Sequence, residues 1–161
     1  MSPSASYSET GRIAQTLQET FSGGAWHGPG VVEILQGITA EQARQRPVQD
    51  AHSIWELVLH MTAWRLFTWN KLAGDRDFDL TDPTQDWPPV TEETQLAWDT
   101  AVQALIAGQQ QLLKALAAFS DEKLEETVPG REYNYYKLLH GIIQHDLYHA
   151  GQIALLKKAF Q

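Results

Sequence analysis

HGIIQHDLYHAGQIALLKK, residues 140–158, carries an apolar stripe and two histidines on one periodicity. Leu138, Ile142 and Leu156 fall on one helix face, and His145 and His149, four residues apart, occupy the gap on that same face. Side chains at this spacing lie about 5–6 Å apart at Cβ. Two imidazoles therefore stand where core residues belong, on a helix expected from about Asn134 to Ala159. His140, five residues before His145, lies about 140° round the helix and is expected to face elsewhere.

The rest of the chain reads as partners for that helix. Ile13, Leu17 and Phe21 mark a helix over residues 8–21, closed by Gly23, Gly24, Gly28, Pro29 and Gly30. That glycine cluster matches neither G-x-G-x-x-G nor a Walker pattern, so it is a turn and not a phosphate cradle. Short helical pieces follow at residues 31–37 and after Thr39, where Thr39 and Gln42 form a capping box, and Pro47 ends the second piece. Ser53 and Glu56 form another box and open a helix to about Leu72 with Leu57, Trp64 and Phe67 on one stripe, terminated by Gly74.

Residues 75–90 hold five aspartates and three prolines and are expected to be a surface loop. Thr91 is expected to open the next helix, whose seam of Trp98, Val102, Leu105, Leu112, Leu116 and Phe119 is broken by Gln109. A connector over residues 120–132 contains Pro129-Gly130, and nothing reads as a strand pair. Four long helices predict an all-α antiparallel bundle, one domain over residues 1–161, with any site built in the core from facing helices.

Composition narrows the chemistry. The chain has 161 residues, 43% hydrophobic and 20% charged, and a formal charge of −8, so its long-range field repels polyphosphate and anionic lipid. No nucleic acid and no membrane partner is expected. With no cysteine, thiolate nucleophiles, zinc ribbons and iron–sulfur clusters are excluded, and any metal must use His, Asp or Glu. MSPSASYSET has neither a positive segment nor an apolar run, so no secretory signal is read there and a cytoplasmic location is the default.

His60 lies three residues after Leu57 and four before Trp64, which puts a third imidazole on an inward helix face. Packed helices run about 8–10 Å apart, so two ligands from one helix and one from its neighbour can meet at a single ion. Spacing alone leaves two readings open: a metal set, or three core histidines each with its own hydrogen-bond partner. His145-Asp-Leu-Tyr-His149 differs from the zincin H-E-x-x-H in that Asp146 is a methylene shorter than the glutamate base there, so that analogy is not carried further. Asp75, Asp77, Asp79 and Asp86 mimic an EF-hand count, but Leu80 replaces the turn glycine and Asp86 the bidentate glutamate, and a solvated acidic loop is the better account.

AWHGPGVVEIL (residues 25–35), HSIWELVLHMTAW (residues 52–64) and the 140–158 segment together resemble the DinB/YfiT-like superfamily of metalloenzymes. The likeness spans nearly the whole chain. It implies an up-down-down-up four-helix bundle, often a homodimer, with a divalent metal on His60, His145 and His149; zinc or nickel ranks first, with iron or manganese as alternatives. It also implies a small-molecule substrate. Two chemistries are open: a metal-dependent hydrolase activating water, or a metal-dependent thiol transferase using a low-molecular-weight thiol of the bacillithiol, mycothiol or glutathione type. A third class is a non-catalytic, metal-binding dimeric bundle.

Around that set, Trp26 and His27 either line the pocket mouth or anchor the Gly-Pro loop. Gln109 either hydrogen-bonds a ligand histidine or substrate, or binds a buried water. Gln152 is positioned to orient an imidazole or to make an interhelical contact. Glu56, one turn before His60, has the capping box as its competing role, and the box is expected to hold it. No inward carboxylate stands out as a general base.

Overall fold

The computed structural model describes residues 8–160, so residues 1–7 of the segment read for a secretory signal lie outside it. Its α-helices are α1 (Glu9–Ser22), α2 (Val31–Leu35), α3 (Ala40–Arg44), α4 (Ile54–Leu72), α5 (Pro83–Asp86), α6 (Gln95–Ala117) and α7 (Tyr135–Lys157). The long helices begin where a side-chain oxygen caps a free amide: Ser8 on Gly11, Ser53 on Glu56, Thr94 on Ala97 and Asn134 on Lys137. Both capping boxes form, Thr39 with Gln42 and Ser53 with Glu56.

Two expectations need correction. Helix α6 starts after Thr94, not at Thr91. Thr94 lies one turn before Trp98, whose ring packs edge-on against Trp55 and whose Nε1 donates to the Ile38 carbonyl at 2.8 Å. Residues 75–90 are not simply loop, since Asp82 caps Thr84 and Pro83 takes the first helical position of α5.

Helix directions follow from residue pairs. Trp55 meets Trp98 and, further along both helices, Arg65 meets Gln109, so α4 and α6 run parallel. His60 meets His145, while the Tyr135 hydroxyl donates to the Lys71 carbonyl, so α4 and α7 run antiparallel. Thr10 binds Asp121, just past α6, and Gln109 donates to the Leu17 carbonyl, so α1 and α6 run antiparallel. The result is an all-α up-down-down-up bundle. A parallel α4–α6 pair forces residues 73–94 to return the full length of the molecule, and this crossover carries α5 over the α4–α7 seam.

The core lies among the four long helices. Ile13, Leu17, Leu57, Phe67, Leu105, Leu112, Leu139 and Ile153 are buried. The α6 seam packs largely as its spacing requires: Trp98, Leu105, Leu112 and Leu116 are buried, and Val102 and Phe119 partly so. Thr127 and Asn134 form an isolated antiparallel bridge in the connector before α7.

Candidate metal centre

Antiparallel packing of α4 on α7 sets His60 opposite His145 and His149. The Nε2 atoms of His60 and His145 are 2.9 Å apart and those of His145 and His149 are 3.0 Å apart. One ligand atom from each of the three rings lies within 4.8 Å of the others. His60 and His149 are buried, and His145 is partly exposed.

The outer faces of two rings decide what the inner nitrogens offer. His60 Nδ1 is 2.7 Å from the Asp86 backbone carbonyl, which only accepts, so Nδ1 carries the proton and Nε2 a lone pair. His149 Nδ1 donates to Gln152 Oε1 at 2.6 Å, with the same consequence. Two lone pairs thus converge on His145 Nε2, and a proton there can satisfy only one of them. Burial pushes the pKa values of all three below the ordinary histidine value, for His145 to about 2, with the neighbouring imidazoles and Arg65 adding to the effect. Protonation therefore does not relieve the cluster at neutral pH. His145 Nδ1 is itself buried without a protein partner.

This donor set fits a cation. Separations of 2.9 and 3.0 Å are those of adjacent ligands at near right angles about one ion with bonds of about 2.1 Å. Imidazole suits zinc, nickel, iron and copper alike.

The crossover completes the setting. Asp86 Oδ1 lies 3.2 Å from His60 Nδ1 and accepts from Trp64 Nε1 at 2.9 Å. The Trp87 ring stacks on His60 with centroids 3.8 Å apart and planes within 5°. His52 stacks on Trp87 at 3.5 Å, necessarily on its opposite face. Such partners fix ring orientation and tautomer in metal sites.

The neighbours named from sequence divide. Gln152 meets His149. Glu56 does not reach His60: its carboxylate accepts from Ser53 N and pairs with Arg46, as the capping box requires. Gln109 reaches no imidazole, because its amide lies between Arg65 Nε and the Leu17 carbonyl, across the bundle from the ring cluster. Trp26 and His27 are exposed, so neither anchors the glycine-rich turn by burial, and neither lines the cavity beside His145. His140 packs on Tyr136, away from the trio. Asp146 is fully buried with its carboxylate 2.7 Å from Arg65, and so faces away from the cluster.

Sequence reasoning did not find Asp86 and Trp87. Asp86 acts on His60 through a backbone carbonyl, which every residue has, and through a side chain that merged into a run of acidic residues. Trp87, between an acid and two prolines, was the visible signal, since a large aromatic in such a loop must cover something.

A cavity of about 230 Å³ opens beside His145 between α4 and α7, walled by Trp64, Leu138 and Ile142 with Lys137 and Tyr133 also lining it. Among the described residues, no helix is long and apolar enough to cross a membrane.

Fold and site together define a helical bundle with a histidine cluster built from facing core helices, the place where bundles build their ligand, cofactor and metal sites. The chain belongs to the DinB superfamily, whose family model matches residues 29–153 and so takes in all three histidines. No curated protein and no solved structure matches the chain.

Proposed function

We propose that the protein is a metal-dependent hydrolase of a small-molecule substrate, with a divalent cation, zinc or nickel, on His60, His145 and His149. The observation that carries this reading is the pair of inward lone pairs, on His60 and His149, locked by hydrogen bonds to Asp86 and Gln152 and converging on His145. When bound, the cation supplies Lewis acidity, which polarises a substrate carbonyl and lowers the pKa of water at the same centre.

The chain's own groups do the rest. His60 is clamped by the Asp86 carbonyl and the Trp87 face, so its ring does not rotate when ligands exchange. Held by these three histidines, a cation would keep coordination positions for substrate and water. Trp64 and Trp87 shield the rings from bulk solvent, which strengthens every electrostatic contact inside. The nearby carboxylates are already engaged, Asp86 by Trp64 and Asp146 by Arg65, so neither serves as a free general base.

Elemental analysis of the purified protein tests the site: about one metal ion per chain is expected, lost in His60→Ala and in His145→Ala. Hydrolysis of a panel of esters and amides tests the activity. Turnover should vanish in His145→Ala and be unchanged by added low-molecular-weight thiols; a rate that depends on the thiol overturns hydrolysis in favour of thiol transfer.

A further inference from the structure

The cavity beside His145 has a graded lining. Next to His145 its walls are apolar, formed by Trp64 and Ile142, and Leu138 continues that apolar surface towards the other end. Thr68 also faces it, but its hydroxyl is spent on the Trp64 carbonyl at 2.9 Å. At the far end stand Tyr133 and the exposed Lys137. Lys137 takes part in none of the ion pairs among the described residues. In a chain of net charge −8, an unpaired ammonium at the mouth of an apolar cavity is a local reversal of sign.

Distance and volume set the size of what fits. Lys137 and His145 are eight residues apart on α7, about 12 Å at 1.5 Å per residue. A cavity of roughly 150 Å³ holds a benzene ring, so about 230 Å³ holds one ring with a short chain. Gly141 lies between the two ends on the lining face, and a Cβ placed on it would meet nothing within 4 Å. The missing side chain is part of the cavity's space.

We propose that this cavity receives the substrate's apolar body, an aryl or branched alkyl group, with the reacting end at the three imidazoles and an anionic group at the other end paired with Lys137. The reacting end rests on the metal-centre reading above; the apolar and anionic ends rest on the cavity alone. The substrate class is thus a compact amphipathic anion whose reactive bond and charge lie on opposite sides of one hydrophobic group.

Calorimetric titration of the full-length protein with 3-phenylpropane-1-sulfonate and with 3-phenylpropan-1-ol tests this, because a sulfonate is a poor metal ligand and the alcohol lacks the charge. The sulfonate should bind about three- to fivefold tighter, the range of a partly exposed ion pair, and Lys137→Gln should erase that difference. Gly141→Leu should weaken both ligands at least about tenfold by filling the space. Gly141→Ala, a favourable change for a helix, should shift both in the same direction by about twofold and serves if the leucine variant does not fold. Equal affinity for the two ligands, or full affinity after Gly141 is filled, overturns the assignment. Metal content of the same samples reads the imidazole centre separately: binding without metal leaves the cavity assignment standing and refutes the metal reading, whereas metal without binding refutes the cavity assignment.

Discussion

His145 and Asp146 are adjacent in the chain and face two different interiors. Asp146 pairs with Arg65, which also donates to Gln109 Oε1 and the Met61 carbonyl and lies over the Phe21 ring. Gln109 in turn reaches the Leu17 carbonyl, so this node ties α1, α4, α6 and α7. Burial pushes the Asp146 carboxyl up while the guanidinium opposes it, and only its Oδ1 is left without a partner in the network. His145 instead joins a cluster whose inward nitrogens the protein satisfies only in part. Both regions bury polar groups at the same level of the bundle. One closes on itself and locks four helices together; the other leaves ring nitrogens only partly matched by the protein.

Breaking the node should have the largest effect. Asp146→Ala strands a buried guanidinium and should cost about 3–5 kcal/mol in chemical denaturation, with much of the loss recovered in Arg65→Met/Asp146→Leu. A cost below about 1 kcal/mol would erase the distinction between the two regions. On the other side, Gln152→Ala frees the outer nitrogen of His149 and should weaken metal binding about 10- to 100-fold in a competition titration, while stability of the metal-free protein stays nearly constant.

The pH response sharpens the contrast further. The trio's pKa values are depressed in the folded state, so as pH falls below about 6.5 the unfolded chain takes up protons that the folded chain does not. Metal-free stability should therefore drop on acidification, by at most about 1.4 kcal/mol per pH unit for each histidine. His145→Gln should flatten that slope in denaturation curves recorded from pH 7 to pH 4. The smallest effect belongs to a cap remote from both clusters: Thr94→Ala should lower stability by about 1 kcal/mol and leave metal content unchanged.

The histidine trio was legible because α4 and α7 each place imidazole in an otherwise apolar stripe, and stripes reveal which side chains face inward. The node was only half legible. Gln109 stood out as a polar break in the α6 seam, but nothing in the α4 stripe of Leu57, Trp64 and Phe67 marks Arg65 as its partner. Asp146 was visible only as a residue next to a histidine, read against a zincin pattern. Pairing Arg65 with Asp146 requires knowing that α4 and α7 are antiparallel and in which register, and no local pattern encodes that.

Helix positions and their inward faces follow from rules that act within a turn or two: caps at Ser8, Ser53 and Asn134, stripes at spacings of three and four, glycine at the ends. These interactions are short-ranged, so a linear reading contains them. Capping of α6 at Thr94 rather than Thr91, the arrival of Asp86 and Trp87 over His60, and the cavity along α7 all depend on contacts between segments far apart in the chain. Those were settled when the parallel α4–α6 pair sent the crossover back along the bundle, because only packing of whole helices fixes where a returning chain must lie.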